Sequence, residues 1–170
     1  MASLMDELLD VIEQEENHYR KLIGYSTEKT DAIVKGDIRK LEDITNLEQD
    51  ETSVLKNLET KRQSVLNDMA VVLHQDAEEL TVQEMIHLLE NQPEEQKKLA
   101  ERRDSLHRTL DEMTKVNERN RVLLEQALDM VNFDLTLFKS LRQAPETANY
   151  DKNANNTGDI LGSAGFDAKQ

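Results

Sequence analysis

A seven-residue repeat governs this chain. Met5, Ile12, Tyr19, Ser26 and Ile33 recur at that interval, with Leu8, Leu9, Leu22 and Ile23 between them on the same side. Leu41, Glu48, Leu55, Arg62 and Met69 form a second run, joined by Ile44, Glu51, Leu58, Val65 and Val72. Leu99, Leu106, Met113, Asn120 and Ala127 form a third, flanked by Arg103, Leu110, Asn117, Leu124, Val131 and Phe138. An α-helix turns about 100° per residue, so positions seven apart return to nearly the same face. The pattern predicts three long helices packed along shared stripes. Composition agrees: Glu, Leu, Lys, Arg, Gln and Asp dominate, Trp is absent, and the two prolines stand at 93 and 145. That is a palette for long helices, not for a sheet.

The punctuation places the helix ends. Ser3 with Asp6 three residues on reads as a capping box opening the first helix, and Asp6, Glu7 and Asp10 favour the positive end of its dipole. Gly36-Asp37 is the clearest boundary, because Gly suits the left-handed position after a helix and Asp caps the next. The second helix is expected from Ile38 to about Leu73, antiparallel to the first. Residues 74–80 read as polar and irregular. Thr81 and Glu84 form another capping box ahead of a short helix bearing Val82, Met85, Ile86, Leu88 and Leu89. Pro93, acceptable in a first helical turn, starts the last long helix, which is expected to end near Leu141. The fold class is therefore all-α: an elongated antiparallel helical bundle or coiled coil of three long helices plus one short helix. Residues 1–141 form the helical domain. Residues 142–170 switch to Asn, Ala, Gly and Pro and are expected to be a flexible, disordered tail.

Charge and composition narrow the function. A net charge of −14 repels phosphate backbones and anionic membrane surfaces, so nucleic acid is not an expected partner. Without cysteine there is no thiol chemistry. The opening residues carry neither the basic stretch nor the apolar stretch of a secretory signal, and no apolar run reaches spanning length. A cytoplasmic protein without direct membrane insertion is expected. No phosphate loop, nucleophile elbow or Cys/His metal spacing is present, so neither an enzyme nor a cofactor is expected. Two E-x-x-H strings, Glu15/His18 and Glu84/His87, match a loose di-iron pattern, but both lie beside the apolar stripes and read as solvated surface. Glu48, Glu51, Arg62, Asn117 and Asn120 replace apolar residues on the tracks. They are expected to fix helix register, and the sequence leaves open whether Glu48 or Glu51 meets Arg62.

The stretch from Leu123 to Leu141 stands out against this charged background. Leu124, Ala127, Leu128, Val131, Leu135 and Phe138 fall on one side of a helix. Leu123, Met130, Phe133, Leu137 and Leu141 fall on another, roughly opposite side. One face can close the protein's own core, which leaves the other for a partner. A helix sandwiched between two others would look the same. The absence of any later element to cover it favours a partner site.

Several strings resemble one family. Lys29-Thr-Asp-Ala-Ile33-Val-Lys35-Gly36-Asp37, with Leu41 and Glu48, is similar to the first hairpin of the FlgN family. Arg62 ahead of Val65-Leu66 resembles its second helix, Asn117 to Leu128 with Asn132-Phe133 its final helix, and Tyr150-Asp-Lys its tail. After that motif the tail departs, with Asn153-Ala154 where relatives often have Gly. The resemblance implies a cytoplasmic flagellar type III export chaperone. Such a chaperone binds the C-terminal amphipathic segments of the hook–filament junction proteins FlgK and FlgL, prevents premature assembly and delivers them to the export gate FlhA. It implies client binding by the last helix, through Leu123, Leu124, Ala127, Leu128, Met130, Val131, Phe133, Leu137, Phe138 and Leu141, and gate docking by Tyr150. The alternative is a structural coiled coil whose spare face is a homodimer interface.

Overall fold

The computed structural model describes residues 2–76 and 80–143. Among them every regular element is an α-helix: α1 (Ala2–Lys35), α2 (Ile38–Leu73), α3 (Val82–Leu88) and α4 (Pro93–Gln143). The chain divides into two compact units, Met1–Asn132 and Phe133–Gln170. The expected tail at 142–170 lies outside the described residues, except for Arg142 and Gln143, which continue α4.

Local chemistry explains the turns. Gly36 takes φ +66°, where a Cβ would be strained, and its N–H reaches the Ile33 carbonyl at 3.1 Å. Asp37 then caps α2 by accepting from the Lys40 N–H at 3.0 Å. α2 ends at His74 in the left-handed region, whose N–H caps the last turn. The box at α3 is complete, because Thr81 Oγ1 accepts from Glu84 N while the Glu84 carboxylate takes the Thr81 N–H at 2.7 Å. The expected cap at Ser3 does not form. α1 already begins at Ala2, so Ser3 sits inside the helix and no acidic residue falls in the first turn.

Ion pairs record the packing of the first unit. Glu15 with Arg62, His18 with Glu51 and Lys29 with Glu48 run in opposite chain directions, so α1 and α2 are antiparallel. Arg102 with Glu13, Ser105 with Glu16 and Asn117 with Ser26 run in the same direction, so α4 lies parallel to α1 with an offset near 90 residues. One core gathers where the start of α1, the end of α2, α3 and the start of α4 converge. Leu8, Ile12, Leu66, Met69, Met85 and Leu99 are its most enclosed side chains. α3 thus packs on the bundle through Met85, Ile86 and Leu89. Its presence widens the inner stripe of α2, turning Leu66 and Ala70 inward while Val72, expected on the track, stays exposed. Leu80 also belongs to this core, although its neighbours read as a polar linker.

Candidate partner-binding surface

Three of the polar residues on the helical tracks, Glu48, Asn117 and Asn120, meet around Ser26, with Ser26 and Asn120 buried and Asn117 at the exposed edge. Ser26 Oγ lies 2.9 Å from Glu48 Oε1 on α2 and 3.1 Å from Asn117 Oδ1 on α4. A hydroxyl has one proton, so it serves one of these acceptors at a time. Lys29 Nζ neutralises Glu48 at 2.7 Å. Asn120 is buried, donates from Nδ2 to the Ser26 carbonyl at 2.6 Å, and accepts from Thr30 Oγ1 at 2.6 Å. These bonds link three helices, the kind of contact that a register role requires.

Further along, the question left by Arg62 is answered differently from either candidate. Its Nε donates to Glu15 Oε1 at 3.0 Å, whereas Glu48 bonds Ser26 and Lys29 and Glu51 pairs with His18 and Lys21. Glu15 is buried, and burial pushes its carboxyl above the usual range despite Arg62. Glu16 is also buried, but bonds from Arg20, Ser105 and Thr109 outweigh that burial and hold its carboxyl below the usual range. The four residues of the E-x-x-H strings are therefore engaged as follows. Glu15 pairs with Arg62, His18 with Glu51, Glu84 caps α3, and His87 Nε2 lies 3.1 Å from Gln83. Glu15 and His18 are thus inside the α1–α2 seam, not on the solvated surface expected of them; only Glu84 and His87 are exposed. Among the described residues no three His, Cys, Asp or Glu side chains converge as metal ligands.

The distal part of α4 behaves otherwise. In the first unit, Leu123, Leu124 and Ala127 are half-buried, and Leu124 lines a shallow depression with Leu22, Ser26 and Met113. From Leu128 the helix is bare: Leu128, Met130 and Val131 are exposed. In the second unit, Phe133 is 67% exposed, Leu137 47% and Phe138 68%, with Leu135 and Leu141 exposed as well. The expectation that one of the two faces closes the protein's own core is corrected beyond Leu128, where both rows are open. The reason lies in helix length. With an offset near 90 residues, Lys35 at the end of α1 stands level with about residue 125 of α4, so α1 offers no facing turn to Leu128 and Val131 of the first unit. The rows are also not opposite. At about 100° per residue their centres lie roughly 120° apart. Leu135, itself exposed, belongs with the client-binding candidates although only its row position in the sequence marked it.

Tyr150, the candidate gate contact, lies outside the described residues. No helix among the described residues is long and apolar enough to cross a membrane. No curated protein and no solved structure matches the chain significantly. The family model described as FlgN protein does match, over residues 1–158, a span that takes in all three long helices. The chain accordingly belongs to the FlgN family of flagellar chaperones.

Proposed function

We propose that this chaperone acts in the cytoplasm and binds amphipathic C-terminal segments of the junction proteins FlgK and FlgL on distal α4. Leu128, Met130, Val131, Phe133, Leu137, Phe138 and Leu141 make the principal contacts, with Leu123, Leu124 and Ala127 at the margin. The bound client is kept from premature assembly and handed to FlhA, for which Tyr150 is the candidate contact. The observation that carries this reading is the exposed apolar run from Leu128 to Leu141 in an otherwise acidic chain. Isolated exposed leucines are ordinary on a protein surface. Eight large apolar side chains within fourteen residues are not.

The recognition mode is helix against helix, with apolar anchors at i, i+4 spacings. Burying one Leu or Phe fully is worth roughly 1.5–3 kcal/mol before the costs of association. A handful of anchors supports an affinity of roughly micromolar to nanomolar, tight enough to shield a client and weak enough to release it. Calorimetry of the purified chain against the C-terminal segments of FlgK and FlgL is the direct test. Saturable heat with either segment supports the proposal, and none with both at micromolar concentration removes it. A concentration-independent dimer that Phe133→Asp dissociates would instead assign the surface to a second copy.

A further inference from the structure

We propose that a groove bounded by all four helices of the first unit is a second docking site, and that it takes an acidic amphipathic segment of another protein. The groove has a volume of about 390 Å³ and lies well away in sequence from the exposed run of α4. Leu66, Val82 and Leu106 give it an apolar wall, and Arg62 and Arg103 give it a basic rim beside His107. Leu66 is fully enclosed, while Val82 and Leu106 keep part of their surface open to the groove.

The charge pattern identifies the occupant. Asp and Glu number 35 against 21 Lys and Arg over the whole chain, so an arbitrary patch should be acidic. This groove reverses the balance: none of its described lining residues is Asp or Glu. Arg62 is compensated by Glu15 through Nε. Arg103 reaches only its neighbour Asp104, at 3.3 Å in an exposed pair that water screens. A guanidinium beside a leucine wall is suited to a carboxylate that stands next to an apolar anchor, and its planar fork favours that geometry over a lysine's point charge. An acidic helix with leucines on one face offers both groups together. The long-range field of the chain opposes such a ligand, so preference for it has to originate locally.

That opposition makes the test sharp. Two synthetic amphipathic helices with identical leucines, one with Glu and one with Lys at the polar positions, are titrated into the full chain. Anisotropy reads affinity, and amide shifts in ¹⁵N spectra read location. The Glu peptide is expected to bind about tenfold or more tighter than the Lys peptide. Its shifts are expected at Val82, Leu106 and His107, and Arg103→Glu is expected to reverse the preference. Should Arg103→Glu perturb the fold, Arg103→Gln with an unchanged melting curve still has to lose the preference. Equal or tighter binding of the Lys peptide overturns the proposal, as do shifts confined to residues 128–143. A dimer in sedimentation that Arg103→Glu breaks overturns it too, because a second copy would then fill the groove. Loss of FlgK and FlgL binding alone leaves this proposal standing, since the two sites share no residue.

Discussion

Nε of Arg62 stands 3.0 Å from Oε1 of Glu15, across the hairpin and 47 residues away, while Oε2 of the same carboxylate is buried without a hydrogen-bond partner. Half of the carboxylate is therefore compensated and half is not. Burial dominates, and the carboxyl titrates above its ordinary value. The folded state then binds a proton more tightly than the unfolded state, so this group's contribution grows as pH falls from neutrality and is lost as pH rises through the raised pKa. Chemical denaturation at several pH values should show it. Between neutrality and mild acid, the native protein should gain stability relative to Glu15→Gln.

Glu16 should behave with the opposite sign. Its folded carboxyl lies below the usual range because the bonds from Arg20, Ser105 and Thr109 outweigh burial. Its stabilisation is present above the unfolded pKa and disappears as pH falls through the lowered folded one. Glu16→Gln should cost about 1–3 kcal/mol at neutral pH, and flatten the acid limb of the stability curve.

Asn120→Ala should destabilise the first unit by about 1–3 kcal/mol, because it removes two bonds and leaves the Thr30 hydroxyl without this acceptor. Urea denaturation followed by circular dichroism measures the change. Amide exchange should accelerate locally around Ser26 and Asn120.

Met85→Ala tests how firmly α3 is seated. Met85 is fully enclosed against residues of α1, α2 and α4. Truncating such a side chain costs about 2–5 kcal/mol, and the midpoint of thermal unfolding should fall accordingly. An α3 that swung free in solution would show almost no change.

Leu137→Asp and Phe133→Asp should leave stability within about 0.5 kcal/mol of the native value, because both side chains are exposed. Binding of a FlgK or FlgL segment should weaken by about tenfold or more in each variant, read by calorimetry. Tyr150→Ala should spare client binding and reduce capture by the cytosolic domain of FlhA.

Much of the framework could be read from the sequence, for reasons that are local. A left-handed glycine followed by Asp marks the α1–α2 turn without help from tertiary contacts, and the Thr81–Glu84 box marks α3 in the same way. The Gly36-Asp37 boundary and the heptads after it located α2 from Ile38 to about Leu73, where it is found. What could not be read depends on helix-to-helix height. The tracks place Arg62, Glu48 and Glu51 on one side of α2 but say nothing of which α1 residue stands opposite, so Glu15 was invisible as the partner. Leu80 looked like linker because its sequence neighbours are polar, and only the convergence of four segments encloses it. The open rows of distal α4 were visible as apolar surface. Their joint exposure was not, because the sequence does not show the height at which α4 stands beside α1.

Asn120 has a bearing on that height. A long helix with greasy residues at one end is under constant pull to slide inward and hide them. Moving α4 by seven residues along α1 would preserve the heptad pattern, and a purely aliphatic seam would offer little resistance. In this chain the shift would present Ala127 to the Thr30 hydroxyl and the Ser26 carbonyl that Asn120 now satisfies. It would also bring Glu112 beside Glu16, where Ser105 now stands. Two misplaced polar contacts and a repulsion between like charges hold the sliding helix in place. The buried amide of Asn120 thus acts as a stop against sliding of α4 along α1 within the first unit.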